Sequence, residues 1–118
     1  DSRYKNFKFS LEDVIADNCS STGYSIGEWK STDHSVADIE MKLNVDGQVA
    51  QTGNSNAILG NPIESMVAIA RLSLEHGERL MPGDVVLAGA ATPAIYIEKG
   101  QKIEAFAEGL GTVSLNVI

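Results

Sequence analysis

Residues 38–45, DIEMKLNV, set apolar Ile39, Met41, Leu43 and Val45 against Glu40, Lys42 and Asn44, and Asp46-Gly47 follows at once. Alternation with a period of two describes a strand with one buried face. Asp-Gly is a strong signal for a tight hairpin turn, so residues 48–53 are expected to return antiparallel. This segment commits the chain to a sheet.

One principal helix is expected over residues 62–76. Asn61 is a good N-cap, Pro62 suits the first helical position, and Glu64 gives a box-like N-x-x-E pattern. Ile63, Met66, Val67, Ala70 and Leu74 fall on one face, and Gly77 is the expected stop. Ser10 followed by Asp13 predicts a capping box opening a short helix through Val14 and Ile15. Alternation over residues 4–9 suggests a strand, as does TGYSIGEW with Tyr24 and Ile26. VVLAGA, after the turn at Met81-Pro82-Gly83-Asp84, reads as a strand covered on both faces. Two further strands are expected, Gln101 to Ala107 and then the alternation Val113, Leu115, Val117. The fold class is therefore mostly β (α+β) with one principal helix.

Composition excludes several functions. With 118 residues, 43% of them hydrophobic and 21% charged, the chain suits one ordinary domain over residues 1–118. A net charge of −7 with scattered Lys and Arg argues against a nucleic-acid partner. No apolar run reaches the roughly 18–20 residues of a membrane helix, and a single cysteine cannot form an internal disulfide. A reducing, cytoplasmic setting is the expectation. The chain opens DSRYKNFKF without an initiator Met and with alternation already under way, so a fragment is expected.

Residue chemistry taken alone is sparse. Cys19 is a tempting nucleophile, but neighbouring Asp17 would raise its pKa, which favours a small filler. His34 and His76 join no metal-like spacing, and Asp17, Asp84, Glu104 and Glu108 come from separate elements. GNSNAILGNP fits either an anion-binding loop or a capped connection into the helix. LAGAATPA puts small residues and the Thr92 hydroxyl at the end of an apolar run, where a ligand or another strand could approach closely.

Taken in order, DSRYKNFKF, VIADNCSST, LGNP, LMPGDVVLAGAAT and GLGTVS resemble the C-terminal part of the 2-oxo-acid hydratase and decarboxylase family, within the fumarylacetoacetate hydrolase superfamily. The resemblance spans essentially the whole chain, and D-S-R followed by A-D-N-x-S-S is its most specific piece. It implies a mixed β roll, a homo-oligomer and a place in meta-cleavage catabolism of aromatic compounds. SRYKNFKFSL and GAATPA lean toward the 4-oxalocrotonate (2-oxo-3-hexenedioate) decarboxylase branch, with the 2-oxopent-4-enoate hydratase branch as the alternative. Pro93 and Asn61 depart from the family pattern beside the expected pocket.

The resemblance also implies a mechanism and a site. A 2-oxo-acid substrate would chelate Mg2+ or Mn2+, the ion acting as a Lewis acid for a developing dienolate. The family's metal ligands, an E-x-E pair and a third glutamate, are expected upstream of Asp1, with a lysine further upstream, so this chain alone is expected to be inactive. Ser20 matches the active-site serine, and Asp17 and Asn18 would orient its loop. The residues alone allow Asp17 and Asn18 to form a self-satisfied turn instead. Thr92 would bind the distal carboxylate or oxo group. Arg3 is expected to pair with an internal carboxylate. A non-catalytic β-rich binding or assembly domain is the reading from a different class.

Overall fold

The computed structural model describes residues 2–118. Asp1, the first residue of the D-S-R motif, lies outside the described residues. A four-stranded sheet forms the centre, built from β1 (Glu40–Val45), β2 (Gln48–Asn54), β3 (Lys102–Ala107) and β4 (Gly111–Asn116) in the order β2-β1-β3-β4. Every pairing is antiparallel.

The hairpin follows from its turn chemistry. Asp46 and Gly47 both take positive φ, 50° and 79°, which is the backbone of a type I′ turn and matches the twist of the flanking strands. Asp46 also fixes the neighbouring strand: its amide donates to the Lys102 carbonyl at 2.9 Å, and its Oδ1 accepts from the Lys102 amide at 2.8 Å. At the open end of the hairpin, buried Ser55 closes the pair. Its hydroxyl accepts from the Ile39 amide at 2.9 Å, and its own amide donates to the Ile39 carbonyl at 2.9 Å. A bulge between Leu43 and Asn44 shifts the β1–β2 register.

The crossover from β2 to β3 carries the principal helix, α2 (Pro62–Glu75). The Asn61 side chain caps it by accepting from the Ile63 amide at 2.9 Å. It ends in a Schellman motif, with Gly77 at φ 80° and the Glu78 amide donating to the Ser73 carbonyl at 2.8 Å. Both ends thus form as the sequence predicts. The predicted capping box at Ser10 also forms and opens α1 (Leu11–Ala16).

Three expected strands are absent from the described residues. Residues 4–9 contain a short 3-10 turn, Lys5–Phe7, with Asn6 and Phe7 at positive φ, so the alternation there never meets a partner. The segments TGYSIGEW and VVLAGA run without ladder pairing. VVLAGA is not covered on both faces either, for Val85 and Leu87 are exposed. A strand exists only where a neighbour completes its hydrogen bonds, which apolar content alone does not supply.

The core is small. Only Ile39, Ile58 and Ile103 are buried hydrophobics among the described residues. Along α2, Met66, Val67, Leu72 and Leu74 remain exposed.

Candidate active site

Two separate places carry the sequence-derived candidates. The first is the end of α1. There the chain turns through Asn18, Cys19 and Ser20 with φ of 50°, 53° and 58°, three consecutive non-glycine residues in the left-handed region. Each such residue costs about 1–2 kcal/mol relative to right-handed backbone, so the turn must be held by its contacts. The Ser20 amide donates to the Asp17 carbonyl at 2.9 Å and the Ser21 amide to the Asn18 carbonyl at 3.0 Å. The Asn18 side-chain amide donates to the Ser21 carbonyl at 3.3 Å.

Asp17 organises this turn. It is 5% exposed, and a buried carboxylate requires compensation. Its Oδ1 accepts from the Arg3 guanidinium at 2.5 Å, and its Oδ2 accepts from the Arg3 amide at 3.2 Å and from the Ser20 hydroxyl at 3.3 Å. Arg3 therefore pairs with an internal carboxylate, as its sequence context suggests. Partial burial, together with the negative charges of Asp13 and Asp17, raises the Tyr4 phenol above its ordinary value. Cys19 is an exposed free thiol.

The second place is a cavity of about 330 Å3 against the apolar face of the sheet. Met41, Leu43, Ala105, Phe106, Thr92 and Glu28 are among its lining residues. The register explains the space: Met41 pairs with Ala107, which pairs with Gly111, and Leu43 pairs with Ala105, which pairs with Val113. Small side chains on β3 leave a hollow that larger ones would fill. This volume sits at the lower end of the roughly 300–1,000 Å3 typical of small-molecule sites.

Thr92 reaches the cavity because of a glycine. A Cβ added at Gly53 would lie 2.1 Å from the Ala91 carbonyl oxygen and 2.9 Å from Thr92 Cγ2, so only glycine lets the 91–92 segment cross β2 there. Glu28 also lines the cavity, and a hydrogen bond and charge attraction from Lys30 hold its carboxyl below its usual range.

The structure thus brings Asp17, Asn18 and Ser20 into one turn and puts Thr92 in the cavity, whose lining includes none of the first three. Sequence reasoning missed the Gly53 crossing and the role of Ala105 and Ala107. Small residues on the apolar side of a predicted strand were the available signal. Among the described residues, no group of three or more His, Cys, Asp or Glu could hold a metal ion. No described helix is long and apolar enough to cross a membrane.

The chain is similar to known proteins along essentially its whole length. A 4-oxalocrotonate decarboxylase from Pseudomonas sp is 45% identical over 116 residues, covering 98% of this chain and 45% of the relative. A 2-keto-4-pentenoate hydratase 2 from Dechloromonas aromatica (strain RCB) is 32% identical, covering 97% of this chain and 44% of the relative. The solved 4-oxalocrotonate decarboxylase from Pseudomonas putida G7, complexed with magnesium and adipate, matches with a TM-score of 0.89 and 35% identity, over 100% of this chain and 46% of that one. The chain accordingly spans a little under half the length of these relatives. The family model for the fumarylacetoacetate (FAA) hydrolase C-terminal domain matches residues 3–118. With an antiparallel sheet and one main helix that match the fold of that solved structure, the chain belongs to the fumarylacetoacetate hydrolase C-terminal family.

Proposed function

We propose that this chain is the C-terminal part of a metal-dependent lyase that decarboxylates 2-oxo-3-hexenedioate (4-oxalocrotonate) in the meta-cleavage degradation of aromatic compounds. The observation that carries the proposal is the fit, at a TM-score of 0.89 over the whole chain, to a decarboxylase that holds adipate and magnesium. Adipate is a six-carbon dicarboxylate, the same length and the same two terminal charges as the proposed substrate.

In the reaction the bond between C5 and C6 breaks, and C6 leaves as CO2. The electron pair passes through the conjugated alkene to the C2 oxo group, giving a 2-hydroxydienoate. On this reading Thr92 binds a substrate oxygen from the sheet side. The apolar lining of Met41, Leu43 and Ala105 favours loss of a charged carboxylate over its retention, because a charge is costly in low dielectric. Ser20, held by Asp17, hydrogen-bonds substrate or ordered water, and Asn18 braces the turn. The described residues do not make a metal site. The proposal therefore assigns the ligands of Mg2+ or Mn2+ to the part of the relatives that this chain does not span.

A hydratase acting on 2-hydroxypentadienoate is the second reading, favoured by the 32% identity to a hydratase over nearly the whole chain. Incubating the full-length protein and Mg2+ with each substrate separates the two. CO2 release from 2-oxo-3-hexenedioate is expected. Water addition to 2-hydroxypentadienoate without any CO2 release from the dicarboxylate would establish the hydratase instead.

A further inference from the structure

One row across the sheet is nearly bare of side chains. Gly53 of β2, Met41 of β1, Ala107 of β3 and Gly111 of β4 are successive cross-strand partners, so they share one face. That face is the one the cavity occupies, because Thr92, which lines the cavity, has its Cγ2 2.9 Å from where a Cβ on Gly53 would lie. Over β4 the same face is covered by the segment at Gly27, whose Cβ would lie 3.8 Å from Val113 Cβ. Three strand spacings, about 14 Å, separate the two ends of the row. Met41 is the only residue in it with a side chain longer than a methyl group, and it is half-buried.

We propose that Met41 is the specificity-determining residue for the length of dicarboxylate that the cavity accepts. The inference rests on the lyase reading above, in which Thr92 binds a substrate oxygen. A ligand anchored at Thr92 begins over β2, and the next position along the row is Met41. The Met41 side chain therefore occupies room that additional methylene groups would need. Beyond it, Ala107 and Gly111 add almost nothing to the floor, so the space left for the ligand depends on one side chain. Methionine is unbranched, with three rotatable bonds, and yields to a ligand instead of blocking it outright. The row thus sets a graded preference for length, which a shorter residue at position 41 would relax and a longer one at position 107 would tighten.

Competitive inhibition by saturated dicarboxylates tests the inference. The full-length protein with Mg2+ releases CO2 from 2-oxo-3-hexenedioate while glutarate, adipate or pimelate, with five, six and seven carbons, competes for the site. The parent is expected to bind adipate more tightly than pimelate. In Met41→Ala that preference is expected to fall about tenfold, the discrimination one methylene group provides in an apolar pocket. Ala107→Leu is expected to move the preference the other way, toward glutarate. A role for Met41 in packing alone would weaken all three inhibitors alike, so inhibitor ratios in Met41→Ala equal to those of the parent would overturn the inference and leave the lyase reading standing. A parent inhibited equally by all three would do the same. A parent that turns over nothing would overturn the lyase reading and this inference with it. Should Met41→Ala fail to fold, Met41→Val keeps a strand-forming residue with a shorter side chain, and parent-like ratios there would be the contradicting result.

Discussion

Ser55 is 1% exposed, yet it is a polar residue at the mouth of a hairpin. Its hydroxyl is the acceptor for the Ile39 amide, and no alanine could replace it. Ser55→Ala should cost about 1–3 kcal/mol, the penalty for leaving a buried donor unpaired, measured by denaturant unfolding of the full-length protein. A variant as stable as the parent would show that water replaces the hydroxyl. Cys19 presents the opposite case: it is exposed and its backbone, not its thiol, defines the turn. Cys19→Ala should retain parent activity, and complete loss would return the thiol to the reaction. At this scale the capping box of Ser10 and Asp13, the Asn61 cap and the Asp46-Gly47 turn were readable in the sequence, because each depends on neighbours within a few residues. The left-handed run from Asn18 to Ser20 was not readable, since it depends on the burial of Asp17 and on its pairing with Arg3, 14 residues earlier.

Among the elements, β1 to β4 and α2 stand where alternation, turn residues and caps put them. The segments around Tyr24 and Val85 carry similar apolar patterns but join no ladder, because pairing is a property of two segments and their register. Both nevertheless shape the site. Gly27 lies over β4, with Thr112 and Val113 3.8 Å from where its Cβ would be, and the 91–92 segment crosses β2 at Gly53. The Ser65 hydroxyl donates to the Ala88 carbonyl and ties α2 to the approach of that second segment. Gly53→Ala would push a methyl group into the Ala91 carbonyl, so it should cost about 1–3 kcal/mol by overpacking. Denaturant unfolding checks this, and an unchanged midpoint would mean that the 91–92 segment moves aside freely.

For the molecule as a whole, the accessible surface is the informative quantity. It measures 8959 Å2, against about 6,200 Å2 expected for a self-contained protein of this mass. The radius of gyration is 15.4 Å, against about 13.5 Å for a compact domain of the same length. The excess lies partly on apolar side chains such as Trp29, Met66, Leu74 and Leu87. Such surface needs cover, and the lyase reading supplies it from the half of the relatives that this chain does not span. Expressed alone, residues 1–118 should therefore bind a hydrophobic dye or associate, and a monodisperse, dye-silent monomer would contradict this.

Loss of C6 as CO2 can be followed by isotope labelling. The full-length protein is incubated with Mg2+ and 2-oxo-3-hexenedioate carrying 13C at C6. The label should appear in CO2, at a rate that falls away when a chelator removes the metal. Label retained in a hydrated six-carbon product, or released at the same rate without metal, would contradict metal-dependent decarboxylation.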